Sequence, residues 1–476
     1  MVDGGRRRFD RRRHLGVGAM RPLHAALAAG FAMLLGLWVQ AFVPPMQSPD
    51  EAVHLARAYL LSRGQWALIS PLEAPAVMVD ALGQYVTPAP GYRPMSGGEI
   101  DPGWLGFLLH HLLTPQMPPL DWHWEEGPAV YAEMPGVGYY LPLAYVPHAA
   151  ALALAQALGL SVASSFDLLR MLLLGTNVTL LWLAWSLWPP NPGVAALLVL
   201  PMTVYQFVNP TLDGFTTACL VLALSLAARI WLPTNQPPRG WQVAALLLAV
   251  ATVAGSRLHM LPLLLLPMAL AWRIRSVTLS LTTLVLGAVV LAWIGWSLAD
   301  TVDRRVLRPL ASTEYLTHFL ARPAEVATLV AATVRDPRTL AFYAASFVGT
   351  LGILPLPLPM TAYFLCSLAC LIALASSVRG AGGVPNSSPW RSLLLLLAAL
   401  AVLLIFVAML VSSTRMPAAR IEGVQGRYFL MPALLIVFAV AGLRPAAAPR
   451  AGWAAVAVLA VASAAWIPLV LQAGPR

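Results

Sequence analysis

The stretch from Ala26 to Leu61, ALAAGFAMLLGLWVQAFVPPMQSPDEAVHLARAYLL, is an apolar run stopped by two prolines, with adjacent carboxylates, a histidine and an arginine directly behind it. About 20 apolar residues in helical form cross a hydrocarbon core of roughly 30 Å with every backbone group satisfied. Runs of this kind recur almost to the end of the chain. With 476 residues, 59% of them hydrophobic and 11% charged, the sequence holds more apolar surface than a water-soluble fold can hide. It predicts an all-α polytopic membrane protein, a bundle of about 11–12 transmembrane helices with a large first extracytoplasmic loop.

The formal charge of +10 comes entirely from arginine, since the chain has no lysine. In a soluble protein such a charge would point to nucleic acid. In a chain this apolar it is read by position, and nucleic acid is not an expected partner. Cys219, Cys366 and Cys370 lie inside apolar segments without metal-ligand spacing, so they read as small core residues. The basic segment 1–20 precedes the first apolar run without a small-residue cleavage site, which suits a retained signal anchor with a cytoplasmic N-terminus.

Candidate spans are 21–43, 166–188, 193–208, 212–232, 241–255, 258–273, 277–298, 358–378, 391–412, 427–443 and 452–471. This threading puts Arg229, Arg239, Arg273, Arg275, Arg379, Arg391, Arg444 and Arg450 on the cytoplasmic side. It requires Gly138–Ser161, with two prolines, His148 and Gln156, to lie along or dip into the membrane. Residues 21–476 then form one membrane domain. Its extracytoplasmic parts are a loop at 44–137 with juxtamembrane helices and a second region at 299–357. The second region runs against the positive-inside rule, because it carries Arg304, Arg305, Arg308, Arg322, Arg335 and Arg338. The GAGGVPNSSP stretch at 380–389 reads as a linker.

Behind the first span, Ser48, Pro49 and Glu51 match an N-cap, a first-turn proline and a capping-box glutamate of a helix that ends at Gly64. On that helix Asp50, His54 and Arg57 share one stripe at i, i+4 and i+7. One reading is a base or cation-binding carboxylate beside a guanidinium fork for phosphate. The other is a cap, a dipole partner and a headgroup contact. Asp213, at a span boundary in NPTLDGF, either joins Asp50 or caps the next helix. Arg257 and His259, in GSRLHML between two short apolar segments, suggest a polar cavity for a phosphate or ordinary snorkelling. In EGVQGRYFLMP, Gln425, Arg427 and Tyr428 suit a phosphate and sugar pocket or an interfacial anchor. The aromatic stretch Leu120–Tyr140 suits sugar faces or the lipid interface.

Four landmarks occur in order: VPPMQSPDEAVHLARAYLLSRGQ (43–65), LPMTVYQFVNPTLDGFTTA (200–218), SFVGTLGILPLPLP (346–359) and GVQGRYFLMPALLIVF (423–438). Together they resemble the bacterial membrane proteins of domain-of-unknown-function family 2142, which is grouped with the C-superfamily (GT-C) glycosyltransferases. The resemblance implies a GT-C-like bundle in the bacterial cytoplasmic membrane. Its activity would be transfer, with inversion, of a sugar from a polyprenyl-phosphate donor to a glycan, lipid or protein acceptor, among membrane lipids. Asp50 would be the base or a ligand of a divalent cation, supported by Glu51. One departure is Gly352-Ile353-Leu354-Pro355, where family sequences of the GTLGWLD kind carry an aromatic residue and an acid. A transporter or flippase of a lipid-linked glycan and a non-catalytic envelope protein are the competing classes.

Overall fold

In the computed structural model the described residues are 22–114, 120–125, 127–232, 238–306, 312–353, 355–379, 388–441 and 450–473. The basic segment 1–20, residues 380–387 of the linker, Arg308 and Arg444 lie outside them. The first apolar run forms α1 (Pro22–Gln40), and a connector leads into α2 (Glu51–Ser62). After it come α3 (Pro102–Leu113), α4 (Val146–Ala157), α5 (Val162–Leu187), α6 (Pro192–Leu198) and α7 (Pro201–Val208). The central part holds α8 (Leu212–Trp231), α9 (Gly240–Ser256), α10 (Leu265–Ile274) and α11 (Val277–Asp300). Three short helices, α12 (Ser312–Ala321), α13 (Pro323–Val334) and α14 (Pro337–Val348), precede α15 (Met360–Arg379), α16 (Ser388–Ser412), α17 (Leu430–Ala441) and α18 (Arg450–Ala473). Among the described residues, α1, α5, α8, α11, α15, α16 and α18 are long and apolar enough to cross a membrane. The chain is an all-α polytopic membrane protein.

Proline accounts for most departures from the expected spans. The run at 193–208 is not one helix: Pro201 forces Leu200 into an extended conformation (ψ 143°), separating α6 from α7. The run at 258–273 opens as a 3-10 helix, Leu258–Leu264, with Pro262 inside it before α10 begins. The run at 427–443 likewise opens as a 3-10 turn, Gly426–Phe429, ahead of α17. In contrast, α5 starts earlier than expected, because Ser161 caps it by accepting a hydrogen bond from the Ser164 N–H (3.3 Å).

The core sits around α8, in which every residue but Asp213 and Arg229 is buried, between α5 and α9. Its Ala218, Ala223 and Ala227 are fully buried. Small residues let neighbouring backbones approach closely, which is how helices gain packing energy inside lipid. At the other extreme, most of α11 is not buried, and it presents Leu281, Val285, Val289 and Trp296 outward.

The first loop contains an element the sequence did not suggest. Met78–Val79 (β1), Tyr85–Val86 (β2), Gly97–Ile100 (β3) and Val130–Glu133 (β4) form a sheet in the order β2-β1-β4-β3. The pairing β1–β4 is parallel and β3–β4 antiparallel, with Gly98 opposite Ala132. Trp104 and Trp124 stack inside this lobe (5.6 Å between ring centroids), against Tyr59 of α2.

Leu174 of α5 closes over Gly36 of α1, and Arg170 of α5 donates to the Gln40 carbonyl (3.1 Å). The two helices therefore run antiparallel, and α5 begins at the end of the bundle where α1 stops. The segment Gly138–Ser161 contains α4, whose 12 residues rise about 18 Å, short of a hydrocarbon core of roughly 30 Å. In a background without the three cysteines, Ala129→Cys and Leu158→Cys, both at exposed positions, should react with an impermeant maleimide from the same side of oriented vesicles. Labelling from opposite sides would mean that the segment crosses.

Candidate functional site

A cavity of about 300 Å³ opens where α9 ends, where α2 and α8 begin, and beside the turn ahead of α17. Its polar floor is an ion chain. Asp213 stands in the first turn of α8, where the positive helix end suits a carboxylate. Arg257, extended at the C-terminus of α9, donates through Nη2 to Asp213 Oδ1. Arg427 donates through Nη1 to Asp213 Oδ2 (3.1 Å) and through Nη2 to Asp50 Oδ2 (3.1 Å). Gln206 adds a longer bond to Asp213 Oδ2 (3.3 Å). The Arg427, Arg257 and Asp213 side chains are 2%, 10% and 14% exposed, whereas that of Asp50 is 60% exposed. Three charges are thus locked inside, and one carboxylate stays open.

Arg427 reaches its place because of the residue before it. Gly426 lies so close to α14 that a Cβ there would stand 2.0 Å from the Tyr343 carbonyl oxygen, and its N–H donates to Ser346 Oγ (2.8 Å). The 299–357 region therefore supplies the helix on which the Arg427 turn rests. Tyr428 lies under the Arg427 guanidinium (5.4 Å to the ring centroid), and Tyr140 lies 5.9 Å from that of Arg257. His259 packs near Tyr428 (6.3 Å between centroids), and Gln425 completes this side. Among the described residues, Gln425 Oε1, His259 Nε2 and the Nε atoms of Arg257 and Arg427 are buried without a hydrogen-bond partner. Such a floor is suited to a polar ligand.

The helix start differs from the expected capping box. Ser48 is not the N-cap: α2 begins at Glu51, and Asp50 occupies the N-cap position in a left-handed conformation (φ 63°). Aspartate is one of the few residues that tolerate this region. Only the glutamate half of the box forms, with the Ser48 N–H donating to Glu51 Oε2 (3.0 Å). This start divides the acidic pair. Asp50 projects into the cavity, while Glu51, next to it on the helix, turns inward and is 1% exposed, near Arg170. Consecutive residues on a helix do not share a face. The pair therefore does not fit a shared divalent cation, and among the described residues no group of three or more His, Cys, Asp or Glu is placed to hold one.

Of the expected stripe, His54 lines the cavity and Arg57 does not. Burial pushes the His54 imidazole down to about 4, against the pull of Asp50, so the ring is neutral near pH 7; it is hydrogen-bonded to Tyr145 OH (2.8 Å). Arg57, two turns into α2, is buried and donates to the Gln65 carbonyl (2.9 Å) and the Trp66 carbonyl. It ties α2 to the loop behind it and is committed there, away from any ligand in the cavity.

Tyr139 and Tyr140, from the aromatic stretch expected to suit sugar faces or the lipid interface, are in the lining, as are residues the sequence did not mark as site residues: Ser256, Arg305, and the last turns of α16 at Ile405, Ala408, Met409 and Ser412. The i, i+3, i+4, i+7 spacing on α16 was a readable signal of one helix face, though nothing in it marked that face as a cavity wall.

Residues 33–437 match a family described as a predicted membrane protein (DUF2142). No curated protein and no solved structure matches the chain.

Burial pushes the Glu51 carboxyl up from its ordinary 4.5 to about 7, opposed by the Arg170 charge. The folded state thus keeps a proton that the unfolded chain releases. The stability this contributes is complete below the ordinary value and is lost as pH rises through the raised one. Glu51→Gln should therefore melt with the parent at about pH 5 and above the parent at about pH 8.5. A variant destabilised equally at both values would mean that the buried group acts as a carboxylate.

Proposed function

The chain belongs to the DUF2142 family of membrane proteins, and from that premise we propose that it is a glycosyltransferase of the bacterial cell envelope. In this reading it takes a sugar from a polyprenyl-phosphate donor and passes it to an extracytoplasmic acceptor. The observation that carries the proposal is the two-sided lining of the cavity. An open carboxylate and guanidinium groups occupy one side, and the apolar face of α16 at Ile405, Ala408 and Met409 occupies another. An amphiphile with an anionic head and an apolar tail meets a matching surface on both sides. A soluble nucleotide sugar would leave the apolar wall unmatched.

The orientation is part of the proposal. Helix α8 runs from Asp213 to Arg229, and α9 returns from Arg239 to Arg257, so Arg229 and Arg239 sit at the end of the bundle away from the cavity. If those arginines face the cytoplasm, the cavity opens on the outer side.

In the transfer step the acceptor hydroxyl oxygen forms a bond to the anomeric carbon. The bond from that carbon to the phosphate oxygen breaks, and its electron pair leaves with the phosphate. Asp50 takes the proton of the acceptor hydroxyl. Arg427 holds Asp50 in position through their hydrogen bond, and positive charge in the cavity offsets the charge gathering on the departing phosphate. A single displacement inverts the anomeric carbon.

Asp50→Asn should lower sugar transfer by about 100-fold or more in vesicles supplied with polyprenyl-phosphate sugars, since general-base catalysis contributes on this scale. Asparagine also tolerates the left-handed conformation and keeps an oxygen that can accept from Arg427, so the variant should stay folded, with a melting temperature lowered only by the loss of that one charge pair. Unchanged transfer would remove Asp50 from the mechanism. Lipid translocation by the parent without transfer from any donor in the panel would replace the enzyme reading with a transporter.

A further inference from the structure

Among the described residues three guanidinium groups line the cavity, and they are not equivalent. Arg257 and Arg427 are enclosed and share Asp213, and Arg427 also holds Asp50. Their unpartnered Nε atoms are buried, and an anion drawn to either group would compete with Asp213 and Asp50 for positive charge already committed to buried ion pairs. Arg305 is different. Its side chain is 42% exposed, while that of its partner Asp303 is 10% exposed. Nε and Nη2 donate to the two Asp303 oxygens (3.0 and 2.7 Å), a fork that fixes the plane of the group along one edge. Tyr139 OH donates to Asp303 Oδ2 (3.4 Å) from the cavity wall. The remaining nitrogen, Nη1, has no hydrogen-bond partner among the described residues.

Two parts of the chain hold this group over the cavity. The Ser96 N–H donates to the Val302 carbonyl (3.0 Å), and the Val302 N–H donates to Ser96 Oγ (2.9 Å). The Arg304 guanidinium is bound by the Arg93 carbonyl, so the end of α11 is stitched to the first-loop lobe just before Arg305. Beneath it lies Gly136. A Cβ at that position would stand 2.5 Å from Arg305 Nη1 and 2.8 Å from its Cζ. The glycine is what lets the guanidinium rest on the backbone of the cavity rim.

We propose that Arg305, seated on Gly136 and anchored by Asp303, is the anion-accepting group of the cavity and that it takes the phosphate of a lipid phosphate. This assignment rests on the transferase reading above and sharpens it: Asp213, Arg257 and Arg427 position Asp50, and Arg305 meets the donor's head. Gly136, Tyr139 and Asp303 are positioning residues for it.

The test measures binding of farnesyl phosphate, farnesol and inorganic phosphate to the full chain in nanodiscs. The parent should bind farnesyl phosphate more tightly than either other probe. Arg305→Ala should weaken farnesyl phosphate about tenfold, the scale of one charge-assisted contact, and leave farnesol unchanged. A purely structural defect would weaken both. Gly136→Ala, which displaces the guanidinium while keeping its charge, should give a loss in the same direction. Combining it with Arg305→Ala should add nothing further, because both act on one contact. Arg305→Lys should recover part of the affinity. If Arg305→Ala binds farnesyl phosphate as the parent does, this assignment falls and the transferase reading survives. If the parent binds farnesyl phosphate no better than farnesol, or inorganic phosphate equally well, the lipid-phosphate reading falls and this assignment with it.

Discussion

Asp213 is a carboxylate inside a membrane bundle, and it is satisfied by two guanidiniums that arrive from distant parts of the chain. Taking an ion out of water costs several kcal/mol even after relaxation, so its partners must be held in good geometry. That requirement brings the end of α9 and the turn ahead of α17 onto the first turn of α8. Once Arg427 is fixed by Asp213, its second nitrogen extends to Asp50 and places that carboxylate at the open side of the cavity. The cavity is the space left between helix ends that converge on one charge.

The same logic separates the two neighbouring acids of α2. They differ by one position in sequence and face opposite conditions, one partly in solvent beside a fixed cation, the other sealed against the α1–α2 connector. A left-handed residue at the helix start makes the division possible, because it lets the chain enter α2 with the first acid already turned toward the cavity. The lobe built on β1–β4 and α3 then covers the outer part of α2, with Arg57 as one of its ties.

Much of the bundle was legible because a long apolar run has few ways to satisfy its backbone in lipid. The runs giving α1, α8, α11, α15, α16 and α18 were read close to their observed limits for that reason. The first-loop sheet was not legible, since strands of two to four residues are too short to show an alternating pattern. In the candidate site, Asp50, Asp213, Arg257 and Arg427 stood out as charges at the edges of apolar runs, where placement is costly. Glu51 was grouped with them through the family resemblance, and Arg57 by its helical spacing from Asp50, while the capping pattern put the helix start at Ser48. The chain starts the helix at Glu51, and the later turns of α2 face the lobe. Arg305 gave no signal of its own, because it lies in an arginine-rich connection and its seat is a lone glycine far away in sequence.

The arrangement of the ion chain also bears on how the protein enters the membrane. Asp213 and Arg257 lie on successive helices, 44 residues apart, whereas Arg427 follows Asp213 by 214 residues. The first pair can neutralise itself as a helical hairpin while the ribosome is still making the rest of the chain, so α8 and α9 partition into lipid carrying no net charge at that end. Arg427 then inserts into a pair that already exists, bringing one surplus positive charge that Asp50, waiting at the surface since the start of synthesis, is there to receive. The order of residues along the chain is thus a schedule in which an ionised group need not wait alone in the bilayer.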